Sequence, residues 1–292
     1  MRLALASMLA IALTAGAALS ARAQTPVGRR ASGPPRTGYA RVNGLRMYYE
    51  LHGAGGTPLV LIHGGGSTIG TNFGRVLPLL SRSRRVIAVE MQAHGHTRDI
   101  DRPFTFEQDA DDVAALLDSL HVARADILGF SNGGTTALQT AIRHPDKVNR
   151  LVIASSNYRR DGMQEGFWEF MEKGTYADMP KPYETAYLQI NPSQEGVHAM
   201  QARDAKRMLA FKDIPDESIK GIAAPTLVVV GDQDGIRPEH ALALSRTLPH
   251  ARLAILPGNH GSYLGEILTP KVSDRRVAIF ADLITEFLDG RE

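Results

Sequence analysis

The sequence contains no cysteine in its 292 residues. Disulfide bonds, metal sites with thiolate ligands and a lipid attached through an N-terminal cysteine are therefore excluded. The protein must depend on a hydrophobic core alone for its stability. Hydrophobic residues make up 43% of the chain and charged residues 22%, a composition typical of globular rather than disordered proteins. A chain of this length is long enough for one large domain with a substantial core.

The N-terminal residues have the pattern of an export signal. Met1-Arg2 provides a positive start, residues 3–19 are apolar and rich in alanine, and Ala21-Arg22-Ala23 has the small residues of a cleavage site. This pattern predicts a signal peptide over residues 1–23, cleaved after Ala23, and hence a periplasmic or secreted protein. A membrane anchor is the alternative, but the apolar stretch is short for a membrane span.

A strong charge of one sign is also lacking. The formal net charge is +2, and it falls to about zero on cleavage, which removes Arg2 and Arg22 and no acidic residue. No basic patch or polybasic helix remains, so we expect neither a nucleic acid nor a membrane surface as a stable partner. Residues 24–37 are rich in proline, glycine and polar residues and are predicted to form a flexible N-terminal segment.

Apolar runs of strand length alternate with helical patterns along the rest of the chain. Asn43-Gly44, between the first two runs, is typical of a two-residue hairpin turn. Several later runs are apolar throughout, as in strands that are buried on both faces of a parallel sheet. We therefore predict an α/β fold with a mostly parallel, doubly wound sheet. The predicted strands are 39–42, 46–50, 58–62, 85–89, 125–128, 151–154, 226–230 and 251–256, and the predicted helices are 106–120, 135–143, 238–248 and 277–288.

Residues 157–220 interrupt this alternation. The stretch is polar, contains methionine, tyrosine and tryptophan, and has helix-like patterns at 164–173 and 196–211. We predict that it forms a helical cap inserted over the carboxyl edge of the sheet. The α/β core then consists of residues 38–156 and 221–292.

The sequence Gly129-Phe130-Ser131-Asn132-Gly133 has a G-x-S-x-G pattern and stands between a predicted strand and a predicted helix. A sharp turn at this point lifts the serine hydroxyl clear of the sheet, and the free N–H groups of the helix point towards it. Glycine is needed on both sides because a larger side chain would clash with the neighbouring strand and helix. Ser131 is therefore a candidate nucleophile, with an ordinary turn serine as the alternative.

A serine nucleophile requires a base, and the base requires a partner that orients it. His260 lies in a loop after the last predicted strand, and Asp234 follows the strand before it. The carboxyl ends of parallel strands meet at one edge of a sheet, so Ser131, Asp234 and His260 are expected to converge there. Asp232 is the alternative acid, and a surface loop histidine is the alternative reading of His260.

From about residue 39 to residue 288 the chain resembles the α/β-hydrolase superfamily, in particular its capped esterase, lactonase and C–C bond hydrolase branch. Five motifs follow the order of that family. They are the elbow at Ser131, His63-Gly64, His94-Gly95-His96, Gly231-x-x-Asp234 and Gly258-x-His260. Together they are specific for the fold and for a catalytic triad, and much less so for a substrate.

The resemblance implies a role for each residue of the site. Ser131 would be the nucleophile, His260 the base and Asp234 the orienting acid, because the family's turn places the acid third after the glycine. Asp232 would then serve as a turn cap. The backbone N–H groups of Gly65 and Asn132 would form the oxyanion hole.

The activity implied by the resemblance is hydrolysis of a small-molecule carboxylic ester or lactone through an acyl-enzyme, without a cofactor. A cofactor-free perhydrolase or haloperoxidase and a C–C bond hydrolase would use the same triad. A ligand-binding protein on the same scaffold is the alternative without activity. A serine at the elbow argues against the dehalogenases and epoxide hydrolases of this fold, which use an aspartate nucleophile.

Three further residues are candidates for the substrate pocket: Gly66, Trp168 and Phe170. The glycine allows a ligand to approach the backbone closely. The two aromatic residues would line the pocket or, alternatively, pack the cap onto the core. His94 and His96 are two residues apart, but with no cysteine and no clear carboxylate ligand nearby we predict no metal site.

Overall fold

A computed structural model describes residues 34–291 of the chain. The predicted signal peptide, 1–23, and residues 24–33 of the predicted flexible segment lie outside the described residues. Residues 36 and 37, which were also expected to be flexible, instead pair with Leu51 and Glu50 in the first hairpin.

Eight strands form one sheet with the order β1-β2-β4-β3-β5-β6-β7-β8. Strand β2 runs antiparallel to both of its neighbours, β1 and β4, and all the pairs from β4 to β8 are parallel. The predicted α/β class with a mostly parallel, doubly wound sheet is therefore confirmed. The strands are β1 (Arg36–Val42), β2 (Leu45–His52), β3 (Leu59–Ile62), β4 (Val86–Glu90), β5 (Ala125–Phe130), β6 (Val148–Ala154), β7 (Thr226–Gly231) and β8 (Ala251–Leu256).

Ten α-helices accompany these strands in the described part of the chain. None of them combines the length and the hydropathy that a membrane span requires. The helices are α1 (Ile69–Phe73), α2 (Leu77–Leu80), α3 (Phe106–Ser119), α4 (Asn132–Arg143), α5 (Phe167–Lys173), α6 (Lys181–Ile190), α7 (Gln194–Ala210), α8 (Asp216–Lys220), α9 (Pro238–Thr247) and α10 (Asp274–Leu288).

The central strands divide the core into two layers. Successive side chains of a strand point to opposite faces of the sheet. Along β3, Leu59 and Leu61 accordingly pack in one hydrophobic cluster, whereas Val60 and Ile62 pack in the other. Burial on both faces explains why the strands in the middle of the sheet are apolar throughout.

The first hairpin follows the turn chemistry of its sequence. Val42 pairs with Leu45, and the two residues between them have positive φ angles, 47° at Asn43 and 85° at Gly44. Asparagine and glycine are the residues that adopt this left-handed conformation most readily. The predicted hairpin is therefore confirmed.

Residues 157–220, called the cap segment below, lie between β6 and β7 and contain α5, α6, α7 and α8. Met208 and Phe211, at the end of α7, pack in the same cluster as Phe106 of α3. A second, smaller cluster joins residues of α6 and α7 to Ala93, in the loop after β4. The cap segment thus contacts the body at α3 and at the loop after β4.

Candidate active site

Ser131 stands on a strained turn between β5 and α4. Its φ angle is 54° and its ψ angle is −123°, a conformation that costs a non-glycine residue about 1–3 kcal/mol. A Cβ atom at Gly129 would lie 2.1 Å from the carbonyl oxygen of Gly133, and one at Gly133 would lie 2.1 Å from that of Ile62. Glycine is therefore required at both positions, and the turn it permits holds the Ser131 side chain at the carboxyl edge of the sheet.

His260 and Asp234 form a hydrogen-bonded pair at the same edge. His260 Nδ1 lies 2.7 Å from Asp234 Oδ1, and since a carboxylate only accepts, Nδ1 carries the proton. The remaining ring nitrogen, Nε2, is the one left to act as a base.

Asp234 is 2% exposed, so its charge depends on the groups around it. Its carboxylate accepts hydrogen bonds from the N–H groups of Gly231 and Ile236 and from the Ser155 hydroxyl, in addition to His260. Burial raises the pKa of Asp234, but the hydrogen bond and charge of His260, followed by the other donors, outweigh it and lower the pKa. Asp234 is therefore an ionised partner for His260.

Asp232 has a different partner. Its Oδ1 accepts a hydrogen bond from the Gly258 N–H at 2.7 Å, which ties the turn after β7 to the turn after β8. The structure thus brings Asp234, and not Asp232, against His260.

Ser131 and His260 line a cavity of about 390 Å³ together with Gly65, Gly66 and Asn132. One wall of the cavity comes from the cap segment and the turn after β7, and it is mainly apolar. The side chains of this wall include Met163, Phe167, Phe170, Met171, Met179, Met208 and Ile236.

Two of the three residues predicted for the pocket line this cavity, namely Gly66 and Phe170. Trp168 does not. Its indole N–H donates to the Arg160 carbonyl oxygen at 2.8 Å, and its ring packs 3.6 Å below the Arg160 guanidinium. Helix α5 turns successive side chains in different directions, so the neighbouring Phe167 lines the cavity instead.

Gly65 and Asn132, the residues predicted to supply the oxyanion hole, line the same cavity as Ser131. Within residues 34–291, neither N–H group donates a hydrogen bond to another residue. The amides on either side of Gly65 are occupied, because Gly64 N–H donates to Asn72 Oδ1 and Gly66 N–H donates to Asp204 Oδ2. The loop therefore offers one free donor beside Ser131, and the start of α4 offers another.

His63 supports this loop from behind. Its Nδ1–H donates to the Gly64 carbonyl at 2.7 Å, and its Nε2 accepts from the Met91 N–H. Complete burial and the nearby charge of His94 lower the pKa of His63 to about 3, so the ring is neutral. The role of His63 is to hold the glycine loop.

His94 and His96 have separate partners. His94 Nε2 lies 2.9 Å from Asp204 Oδ2, whereas His96 Nδ1 lies 2.8 Å from Glu90 Oε2. Asp204, on α7 of the cap segment, also lines the cavity. Asp204 was not among the predicted site residues, because no local pattern marks a residue that contacts Gly66 from 138 positions away.

Comparison with known proteins places this geometry in context. A family profile described as the alpha/beta hydrolase fold matches residues 57–172. A 2-hydroxymuconate semialdehyde hydrolase from Pseudomonas sp. (strain CF600) is 31% identical over 264 residues, which cover 82% of this chain and 89% of that protein. A pimeloyl-(acyl-carrier protein) methyl ester esterase from Neisseria meningitidis serogroup B is 30% identical over 258 residues, or 79% of this chain and 92% of the esterase.

The sheet and helices also superimpose on known structures. The enol-lactonase from Burkholderia xenovorans LB400 matches with a TM-score of 0.67 and 24% sequence identity, over 86% of this chain and 99% of the lactonase. At this level of identity the likeness shows a shared fold.

Proposed function

Because this chain belongs to the α/β-hydrolase family, we propose that it is a serine hydrolase that cleaves an uncharged carboxylic ester or lactone through an acyl-enzyme. One observation carries the proposal. Ser131 and His260 line the same cavity, and the buried carboxylate of Asp234 fixes the proton of His260 on Nδ1. A nucleophile, a base and an orienting acid are thus available at the end of an apolar pocket.

The proposed reaction has two steps. In the first, Ser131 Oγ attacks the carbonyl carbon while His260 Nε2 takes its proton, and the N–H groups of Gly65 and Asn132 stabilise the oxyanion. His260 then returns the proton to the leaving alcohol as the C–O bond breaks. In the second step, water loses a proton to His260 and attacks the acyl carbon. The bond from this carbon to Ser131 Oγ then breaks, His260 returns the proton to Ser131 Oγ, and the acid is released.

An uncharged substrate follows from the residues around the cavity. Among the described residues that line it there is no lysine or arginine, and the acidic residues Asp178 and Asp204 are present. A buried carboxylate without a cationic partner costs free energy. We therefore infer that the cavity accepts neutral acyl and alcohol groups in preference to anions.

A C–C bond hydrolase is the second candidate. It is favoured by the 31% identity to a hydrolase whose name refers to a muconate, which is a carboxylate. The same triad would serve that reaction, but the lack of a cation on the cavity wall disfavours such a substrate. A purified protein that cleaves a muconate semialdehyde faster than any neutral ester would reverse this order.

The test is a panel of p-nitrophenyl esters of increasing chain length and several lactones, assayed with the wild type and with Ser131→Ala. We expect the substitution to lower kcat about 10⁴–10⁶-fold, as loss of the nucleophile does in serine-protease triads. Ser119→Ala, an exposed serine of α3, is the matched control and should retain full activity. A Ser131→Ala variant with a tenth or more of wild-type activity would refute the proposal, as would an organophosphonate adduct on another residue.

We also propose that the protein is exported, because residues 1–23 have the pattern of a cleavable signal. N-terminal sequencing of the mature protein from a bacterial host should begin at Gln24. Recovery of the intact Met1 terminus from the cytoplasm would count against export.

A further inference from the structure

The carboxylate of Asp204 reaches from α7 of the cap segment into the glycine loop of the body. Asp204 Oδ2 accepts a hydrogen bond from the Gly66 N–H at 2.6 Å and lies 2.9 Å from His94 Nε2. Asp204 Oδ1 accepts from Arg207 Nη2 at 2.5 Å, and Arg207 Nη1 donates to Asp109 on α3. One side chain therefore joins the cap segment, the glycine loop and the loop after β4.

The Asp204 carboxylate lies next to the proposed oxyanion hole. A Cβ atom on Gly65 would lie 3.2 Å from Asp204 Oδ2. A negative charge at this place opposes the formation of an oxyanion unless nearby cations neutralise it.

Two cations supply that neutralisation. His94 Nδ1 donates to the Gln92 carbonyl at 2.8 Å, and its Nε2 faces Asp204, so both ring nitrogens point at acceptors and both carry a proton. Burial opposes protonation of His94, but the charge of Asp204 and the hydrogen bond to it prevail and raise the pKa. Arg207 provides the second positive charge, with its side chain 4% exposed.

The hydrogen bond to Gly66 has a geometric consequence. Gly66 has a φ angle of 64°, in the left-handed region, so the chain turns sharply directly after Gly65. The peptide group that carries the Gly65 N–H also contains the Gly64 carbonyl, which accepts from His63 Nδ1, and the next peptide group carries the Gly66 N–H, which is fixed on Asp204. The peptide groups on both sides of Gly65 therefore have defined orientations, and Asp204 fixes the second of them. The N–H of Gly65, a residue that lines the cavity, is then held in one direction.

We propose that Asp204 is a positioning residue for the proposed Ser131 chemistry: it orients the Gly65 N–H as an oxyanion donor, and His94 and Arg207 cancel its charge. This inference rests on the proposed function. The competing explanation is that Asp204 only anchors the cap segment to the body. The two explanations differ in what they predict for kcat.

The experiment compares Asp204→Ala, Asp204→Asn and Asp109→Asn, with p-nitrophenyl butyrate as the substrate. Asp204→Ala removes the acceptor for the Gly66 N–H, and we expect kcat to fall about 10²–10³-fold, as on loss of an oxyanion donor, with KM changed less than about threefold. Asp204→Asn keeps an oxygen that can accept from the Gly66 N–H, and its kcat should stay within about tenfold of wild type. Asp109→Asn removes the charge from the contact between Arg207 and α3 without touching the glycine loop, and should keep kcat within about threefold of wild type.

A boronic acid provides a second measurement that an anchoring role would not change. Butylboronic acid forms a tetrahedral adduct with a nucleophilic serine, and one of its oxygens would occupy the oxyanion hole. We expect the Ki of butylboronic acid to rise in Asp204→Ala by about the same factor as kcat/KM falls. If Asp204 only anchored the cap segment, these two factors would differ widely. All variants are assayed at a temperature at which circular dichroism shows them to be folded.

If Asp204→Ala does not fold, the comparison between Asp204→Asn and wild type carries the test through the same two measurements. Asp204→Asn should then retain kcat and Ki within about tenfold of wild type, and a larger loss in both would contradict the hydrogen-bond argument. A kcat of Asp204→Ala above one third of wild type, or an equal loss in Asp109→Asn, would overturn the inference. Failure of the proposed function is separate, because turnover of p-nitrophenyl butyrate would then not depend on Ser131.

Discussion

The two walls of the cavity are built in different ways. The body wall, with Ser131 and Gly65, is shaped by backbone that has no space for alternatives, since a single added carbon at Gly133 would lie 2.1 Å from another residue's oxygen. The cap wall is formed by side chains such as Phe170, which is 54% exposed, and Met171. Methionine and exposed aromatic side chains adapt to different ligands. The body wall therefore restricts the chemistry, while the cap wall leaves the substrate adjustable.

After loss of the Ser131 nucleophile, the largest effect should come from the acid of the body wall. Asp234→Asn should lower kcat about 10⁴-fold, because an amide in place of the carboxylate favours the wrong tautomer of His260. Asp232→Asn is the matched control two residues away. It weakens the hydrogen bond from Gly258, so it should cost about 1 kcal/mol of stability and little activity. Ester hydrolysis and circular dichroism of both variants measure this, and an inactive Asp232→Asn beside an active Asp234→Asn would reverse the assignment.

A second substitution tests whether the backbone of the body wall tolerates change. Gly133→Ala places a Cβ atom against the Ile62 carbonyl, so we expect the free energy of unfolding to fall by about 3 kcal/mol, together with activity. Gly70→Ala is the control, since a Cβ atom there meets no atom closer than 3.9 Å. Urea denaturation of both variants makes the comparison. If the two variants were equally stable, the turn at Ser131 would tolerate a larger residue at position 133, and the backbone of the body wall would not be rigid.

The cap wall should respond differently. Phe170→Ala removes apolar surface from the cavity, so kcat/KM for p-nitrophenyl octanoate should fall about tenfold, which corresponds to about 1.4 kcal/mol. The value for p-nitrophenyl acetate should change little. Leu209→Ala, at an exposed leucine of the cap segment outside the cavity, is the control. A Phe170→Ala variant that loses activity equally on both esters would place this residue among the structural rather than the substrate-binding ones.

The smallest effect is expected in the pH dependence of stability at the contact between the walls. The pKa of folded His94 is raised above its unfolded value of about 6.5. The contribution of His94 to the free energy of unfolding is therefore complete below about pH 6.5 and is lost as the pH rises through the folded pKa. The pKa of Asp204 is lowered, mainly through the charges of His94 and Arg207 acting against burial. Its contribution is present above about pH 4 and is lost as the pH falls through the folded pKa.

His94→Gln isolates the histidine part of this dependence. Urea denaturation of wild type and variant at pH 6 and pH 9 should give a larger difference in unfolding free energy at pH 6, because the stabilisation from the protonated His94 of the wild type decreases as the pH rises above the unfolded pKa of about 6.5. His250, an exposed loop histidine, gives the control His250→Gln. A difference between wild type and His94→Gln that does not change with pH would mean that His94 is neutral when folded.

The strands, the hairpin turn and the elbow were predicted correctly because local sequence patterns determine them. The eight predicted strands correspond to β1–β8 with ends within three residues, because apolar runs, the Asn43-Gly44 turn and the elbow glycines act over short distances. The pairing of His260 with Asp234 followed from the meeting of strand ends at one edge. These features need no knowledge of distant contacts.

Other features depend on contacts between distant parts of the chain and could not be predicted. The short helices α1 and α2 and the helix α6 have no strong periodic pattern of their own, and α1 is held by the Thr68 cap. The insertion of Asp204 under Gly66 depends on how the cap segment folds back. Trp168 and Phe170 were equivalent candidates by residue type, and only the orientation of α5 separates them.

Trp168 is the single tryptophan of the chain, and it belongs to the cap segment. Its indole lies against the Arg160 guanidinium and donates to a carbonyl oxygen close to the turn after β7. The tryptophan fluorescence of the protein therefore originates from one place, beside the cap wall and outside the cavity itself. The emission spectrum reports directly on movement of that wall when a ligand enters, without a label and without turnover.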